Sequence, residues 1–368
     1  MHVLITADTI GGVWTYAREL VIGLIRHGVR VTLVSFGEIP SPRQMEWLAA
    51  FPEVDFRPTG FPLEWMQEAP ESLAASTTFL RSVVDEVNPD LLHFNQYCYG
   101  SIEVDLPRLV VAHSDVISWW VAVHGEQPRE TKWLRWYRQV VQQGLLCASA
   151  VVAPSEWMLE ALASYYLLPG RTRVIYNGRS PALLNPYVTK ENCVLSVGRL
   201  WDGGKQVSLL TRMEPPLPVY IAGSTQHPGT SPHDPPEHPQ DSKIRLLGQI
   251  PEEELRRWFG LAAIYAAPSR YEPFGLAPLE AALSRCALVL NDIPSFHEIW
   301  GENARYFHYD DATSLAQTLR ELAQDREARM VYGNLAWQHA RRHFTADSMV
   351  EQYVGLYRSL TSAEVRVA

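Results

Sequence analysis

Short apolar runs, each closing on small or polar residues, recur along the first half of the chain: "HVLITA", "RVTLVSF", "LLHFN", "LVVAHS", "AVVAPS" and "RVIYNG". Helical patterns lie between several of them. A strand covered on one face alternates apolar with polar, whereas one buried on both faces is apolar throughout. These runs therefore indicate parallel strands sandwiched between helices. After "NGRSPALLNPYVTKEN" the same order restarts with "CVLSVG", "VYIAGS", "IRLLGQ", "AIYAAPS", "ALVLND" and "ARYFHY". The expected fold class is α/β, with two successive doubly wound parallel-sheet domains joined by the polar, proline-containing segment near 179–192. At 368 residues the chain exceeds what a single hydrophobic core serves. The first helix is legible in an apolar stripe of Val13, Tyr16, Ala17, Leu20, Val21, Leu24 and Ile25, stopped by Gly28.

Several function classes are disfavoured. A formal net charge of -9 speaks against a dedicated nucleic-acid binder, which carries a basic surplus. Cys98, Cys147, Cys193 and Cys286 form no CxxC pair. Zinc and a disulfide framework are thus disfavoured, and each cysteine reads as a small buried residue in a reducing compartment. The start "MHVLITADTIGG" lacks the basic stretch and apolar core of a secretory signal, and no run reaches the roughly 20 apolar residues of a membrane span. A cytoplasmic location is expected.

In doubly wound sheets ligands collect beyond the carboxyl ends of strands, and the chemically interesting residues fall there. Gly11 and Gly12 lie between the first strand and first helix. They suit either a plain tight turn or the approach of an anion to backbone N–H groups. The spacing is not GxGxxG, and no acidic residue stands at a ribose-binding position, which disfavours a dinucleotide. In "LSVGRLWDGGKQ", Arg199 and Lys205 sit on a glycine-rich loop, where two cations suit a diphosphate or are simply solvated. In "SRYEPFGLAPLEAA", Glu272 and Glu280 flank a helix entrance formed by Phe274, Gly275 and Leu276, with Pro278 in the first turn. Two carboxylates so spaced could be a hydrolytic pair, a metal site or a device for holding hydroxyl groups. Glu280, placed in or near the first turn, also has a plain structural reading through the helix dipole. His227, His233 and His238, with Asp234 and Glu237, lie in the proline-rich loop 225–242, which reads as solvated rather than metal-binding.

"GRLWDGGKQ" followed by "SRYEPFGLAPLEA", together with "VVAPSEWM", "VIYNG" and "GGVWTYARELVIGLIRHG", resembles glycosyltransferase family 4 over nearly the whole chain. The resemblance implies the GT-B fold: two Rossmann-like domains facing across a cleft. It places an acceptor-side domain at 1–180, a nucleotide-sugar-binding domain at 190–344, and a C-terminal helix at about 345–368 returning to the first domain. It implies a retaining hexosyltransferase-type enzyme that takes a sugar from a nucleotide diphosphate donor. UDP is expected first, with GDP and ADP open. Glu272 would hold hydroxyls of the donor sugar with the backbone of Phe274, Gly275 and Leu276. Glu280 would accept from the ribose diol, and Arg199 and Lys205 would neutralise the diphosphate near Gly12. The backbone at Ile250 would meet the base, and His113, at a strand end, would face the sugar.

No cofactor and no dedicated metal are expected, because cations and helix N-termini can stabilise the leaving diphosphate. The acceptor is undetermined: a small molecule, a glycan or a lipid-linked group. The sequence departs from the family at Arg285 and Ala287, where Gly and Pro are usual. The basic, aromatic stretch "RETKWLRWYRQVVQQGLL" is read as a domain helix with its aromatics inward, in preference to a peripheral membrane contact. "SWW", ending at Trp120, is either core or a stacking platform. Two rivals share the architecture: a nucleotide-sugar epimerase, and a non-catalytic sugar-nucleotide-binding protein.

Overall fold

A computed structural model describes residues 1–225 and 243–364. The chain divides into two compact units. The first comprises 1–120, 126–178 and the segment from residue 346 onward; the second comprises 121–125 and 179–345.

The first unit is built on a seven-stranded sheet of order β3-β2-β1-β4-β5-β6-β7, parallel throughout. The strands are β1 (His2–Asp8), β2 (Arg30–Phe36), β3 (Asp55–Pro58), β4 (Leu91–Phe94), β5 (Arg108–Val111), β6 (Ala150–Ala153) and β7 (Thr172–Val174). Strand β1 is buried along its whole length, as its unbroken apolar run requires. The helix Gly12–Arg26 buries Tyr16, Ala17, Leu20, Val21 and Leu24, and Gly28, with φ of 72°, closes its end. The helix Ala346–Glu364 adds Met349, Val350, Tyr353, Val354, Tyr357 and Leu360 to the same core. Its fit on the first helix is close: a Cβ at Gly23 would lie 2.3 Å from Val350 Cγ2. Buried aliphatic side chains of this size each contribute about 1.5–3 kcal/mol.

The second unit has a six-stranded sheet of order β10-β9-β8-β11-β12-β13. Its strands are β8 (Glu191–Val197), β9 (Val219–Ala222), β10 (Ile244–Gly248), β11 (Ala262–Ala267), β12 (Ala287–Asn291) and β13 (Arg305–Phe307). The segment 179–192, read from sequence as a linker, is an ordered part of this unit, with a 3-10 turn at Pro181–Leu183 and Arg179 fully buried. Arg179 N donates to Phe344 O at 3.1 Å, and Arg179 forms a parallel bridge with Thr345.

In each sheet the strand order reverses once, between β1 and β4 and between β8 and β11. Connections leave such a reversal in opposite directions, so a crevice opens at the carboxyl ends of the strands there. In the second unit three glycines mark that end. Gly223 N donates to Gly248 O at 2.8 Å and Gly198 N to Ala222 O at 2.9 Å. A Cβ on Gly223, whose φ is 147°, would lie 2.1 Å from Gly198 O.

Candidate functional site

The loop that leaves β8 is shaped by a residue that sequence reasoning passed over. Buried Asp202 accepts from Gly204 N at 2.9 Å and from Lys205 N at 3.3 Å through Oδ1, and pairs with Arg199 Nη2 at 2.6 Å through Oδ2. An aspartate ahead of Gly-Gly is a turn signal, because its carboxylate satisfies N–H groups a few residues on. Arg199 stays half exposed, its guanidinium 4.7 Å from the centre of the Trp201 ring. The loop leaving β11 is stitched to this one: Arg270 N and Tyr271 N both donate to Gly204 O, at 2.9 and 3.2 Å. Asp310, beyond β13, takes Arg270 Nη2 at 2.5 Å and also accepts from Gln206 Nε2.

Across the reversal Lys205 Nζ meets Glu272 Oε2 at 2.5 Å, with Ser269 Oγ donating to the same oxygen at 3.4 Å. Glu272 is 8% exposed, so its charge needs this partner. Gly275 caps the helix Leu276–Leu283 with φ of 94°, a left-handed conformation that suits glycine. A Cβ there would press on Glu272 Cγ at 3.2 Å and Pro278 Cγ at 3.1 Å. Phe274 is buried edge-on against Phe344, and Leu276 is half-buried at the helix entrance, where N–H groups lack intrahelical acceptors.

Glu280 stands just past the first turn. It is the fifth residue of that helix and so lies in the second turn, with no acidic residue in the first. Its partner is a cation rather than the helix end, since Arg179 Nη2 stands 2.7 Å from Glu280 Oε1. Ile250 is half-buried, just before the helix Glu252–Leu261. The second unit therefore brings Arg199, Lys205, Glu272 and the Phe274–Leu276 backbone to one end of its sheet.

The first unit carries the remaining candidates. Gly11 has φ of 79° and open space around its Cβ position, and Gly12 opens the following helix without a side-chain cap. His113, past β5, is oriented by Asn95, the residue after β4. Asn95 Nδ2 donates to Thr6 O at 2.5 Å, which leaves its Oδ1 to accept from His113 Nε2 at 2.7 Å. The proton thus sits on Nε2, and the ring packs edge-on to Tyr16 at 4.5 Å. Desolvation holds the His113 imidazole down at about 3. The neighbouring His93, wholly buried, is also held at about 3, by desolvation and then by the His113 charge. It contacts Tyr357 OH at 2.5 Å and Tyr16 OH at 3.3 Å. Both rings are neutral at ordinary pH.

The other features resolve simply. The helix Lys132–Cys147 buries Leu134, Tyr137, Val141 and Leu145, and Trp133 stacks on Tyr137 with its Nε1 donating to Met66 O. Its aromatics turn inward. Trp119 and Trp120 are half-buried. Cys98, Cys193 and Cys286 are buried, but Cys147 is exposed, and all four are unpaired thiols. Among the described residues no cluster of three His, Cys, Asp or Glu could hold a metal, and no helix is long and apolar enough to cross a membrane. His227, His233, His238, Asp234 and Glu237 lie outside the described residues.

Comparison with known proteins adds to this picture. The model for Glycosyltransferase Family 4 matches residues 10–183, and that for Glycosyl transferases group 1 matches 191–325. Lipopolysaccharide core biosynthesis mannosyltransferase LpcC of Rhizobium leguminosarum bv. viciae is 31% identical over 120 residues, which cover 32% of this chain and 34% of that protein. The first two curated relatives are matched over only 34% and 58% of their own lengths. Sucrose-phosphate synthase from Thermosynechococcus elongatus superposes with a TM-score of 0.80 at 19% identity, covering 99% of this chain and 100% of that one. Anabaena Alr3699/HepE in complex with UDP and glucose gives 0.74 at 15% identity, covering 98% and 100%. At such identities the likeness is one of fold, and the fold is GT-B.

Proposed function

Because the chain belongs to glycosyltransferase family 4, we propose that it is a retaining glycosyltransferase that moves a hexose from a nucleotide diphosphate sugar, with UDP-sugar first, to an acceptor hydroxyl. The bond between the anomeric carbon and the diphosphate oxygen breaks, and the nucleoside diphosphate leaves with the electron pair. The acceptor oxygen bonds to the same carbon and passes its proton to the departing diphosphate oxygen. Retention of configuration rests on family membership alone. The UDP preference is supported by the UDP complex of the HepE structure.

The observation that carries the proposal is the meeting of Lys205 and Glu272 across the β8–β11 reversal. It sets a cation for the leaving diphosphate beside an acceptor for sugar hydroxyls. Charge grows on the diphosphate as the bond breaks, so Lys205 and Arg199 stabilise the transition state more than the bound donor. Glu272, with the backbone of Phe274, Gly275 and Leu276, orients the sugar. Glu280 accepts from the ribose diol, and Ile250 borders the base. For the first unit, the family resemblance alone assigns Gly11 and Gly12 to the diphosphate. His113 is assigned to the sugar as a neutral imidazole, a polar contact rather than a charge. No cofactor or resident metal has a part in this scheme. The four unpaired cysteines suit a reducing compartment, so a cytoplasmic setting belongs to the same proposal.

Thermal shift against UDP, GDP, ADP and their hexose conjugates tests the reading, followed by assay of nucleoside diphosphate release. A ligand at 100 times its dissociation constant stabilises by about 2.7 kcal/mol, an easily read change. UDP and a UDP-hexose are expected to raise the melting temperature, and the donor is expected to be slowly hydrolysed even without acceptor. Absence of any shift with all these compounds would sink the proposal. Conversion of the donor into its epimer would replace it with an isomerase.

A further inference from the structure

Arg179 is 1% exposed, yet its side chain is charged. Its Nη2 lies 2.7 Å from Glu280 Oε1 and 3.1 Å from Glu252 Oε1. Glu252 Oε1 in turn takes Arg256 Nη2 at 2.7 Å. Arg179 thus bridges two carboxylates, the buried Glu280 and the partly exposed Glu252, and Arg256 adds a second cation beside Glu252. Buried ion pairs of this kind return little net stability compared with apolar residues of the same volume, because desolvation offsets the attraction. What they do supply is position: one nitrogen of a rigid, planar guanidinium, Nη2, reaches both carboxylates and holds Glu280 Oε1 at a set place.

The placement of the cluster gives that position a use. Glu280 belongs to the helix Leu276–Leu283, whereas Glu252 is the first residue of the helix that follows Ile250 and Pro251. Arg179 stands between the two helices, and its own backbone is pinned by the bond to Phe344 O and the bridge to Thr345. We propose that Arg179 is a positioning residue: it fixes the Glu280 carboxylate in the position that receives the ribose diol, with Glu252 as the second post that holds the guanidinium. This rests on the reading of Glu280 given above. A carboxylate held in place before the nucleotide arrives gives up less side-chain freedom on binding, so the benefit falls on affinity for the diol rather than on the chemical step.

The test measures dissociation constants of UDP and of 2′,3′-dideoxy-UDP by calorimetry, for the full chain and for R179M and R179K. Wild type is expected to prefer UDP roughly tenfold or more, the scale of hydrogen bonds to a charged acceptor. In R179M the preference is expected to shrink to about threefold or less, with dideoxy-UDP affinity nearly unchanged. R179K keeps the charge without the rigid plane and is expected to lose part of the preference. A wild-type preference in R179M, or equal weakening of both nucleotides, overturns the positioning role while leaving the diol reading intact. If wild type binds UDP no better than the dideoxy compound, the diol reading fails and this inference falls with it. Should R179M not fold, R179K decides: an undiminished preference there overturns the proposal.

Discussion

Lys205 Nζ and Glu272 Oε2 are 2.5 Å apart although 67 residues separate them in sequence. The two groups assigned to the opposite halves of a nucleotide sugar are each other's partners. Any anion that draws on Lys205 therefore competes with Glu272, and this competition is measurable.

The pair should first be visible in stability. Glu272 is nearly buried, and losing its cation leaves a charge poorly compensated, at a cost of about 1–2 kcal/mol once the partial exposure of Lys205 is allowed for. For a domain of this size that corresponds to a fall in melting temperature of about 2–8 °C in Lys205→Ala. In the double variant Lys205→Ala/Glu272→Gln the loss should be smaller than the sum of the two single losses. Calorimetric scans of the four proteins provide the cycle, and strictly additive losses would mean the contact carries no coupling.

Nucleotide binding should respond in the opposite sense to what a simple contact would give. Glu272→Gln removes the competing charge, so Lys205 is freer to meet a phosphate. UDP alone should bind about 3- to 10-fold more tightly, the scale of one strengthened charge-assisted bond. Sugar transfer should nonetheless fall by roughly 10²-fold or more, as when a preorganised group is removed. Titration with UDP settles the first half, and weaker UDP binding in the variant would contradict the competition.

Gly275 should tolerate no side chain. An alanine at φ of 94° is strained by about 1–2 kcal/mol, and its Cβ would press on Glu272 Cγ at 3.2 Å. Gly275→Ala is expected to lower the melting temperature by a few degrees and donor turnover at least about tenfold. Wild-type turnover in a folded Gly275→Ala protein would show that the helix entrance does not orient Glu272.

The neutral histidines give the first unit a predictable acid response. His93 and His113 titrate near 3 in the folded chain, against an ordinary value of 6.5. Between these values the unfolded state takes up a proton that the folded state does not. Stability is then fully present above about pH 6.5 and is lost as pH falls toward 3, by up to about 1.4 kcal/mol per pH unit for each group. His113 is only half-buried, so wholly buried His93 is the surer carrier of the effect. In urea unfolding of wild type and His93→Gln at pH 7 and 4.5, the variant should lose less stability on acidification. An equal loss in both would show that His93 protonates without penalty.

The sheets were readable because parallel strands buried on both faces need unbroken apolar runs, and each quoted run from "HVLITA" to "ARYFHY" forms a strand. Strand β3, half-buried and carrying Asp55 and Arg57, lacks that pattern and passes unnoticed. The candidate site was legible as a set of residue types at strand ends, but not as a set of partners. Pairing of Lys205 with Glu272 follows from β8 lying beside β11, a long-range fact that no local pattern encodes. Arg179 was lost in a polar, proline-containing stretch whose composition suggests a linker, though its side chain is among the most buried in the chain. Glu280, read as in or near the first turn, stands just past it as the fifth residue of the helix capped by Gly275, and its pairing with Arg179 is the part no local pattern shows.

The glycines at the ends of β8, β9 and β10 divide this end of the second sheet into fixed and editable parts. Gly223 abuts the carbonyl of Gly198 so closely that residue 223 has no room for a side chain, whatever loop follows. Beyond that contact Arg199 is half exposed and rests on Trp201 and Asp202, all within the loop itself. An engineer altering donor preference could therefore exchange the side chains of 199–201 as one cassette, keeping Asp202 with its backbone bonds and Gly204, Lys205 and Gln206 with their ties to Arg270, Tyr271, Glu272 and Asp310. The glycine contact would remain as the socket into which each new cassette is seated.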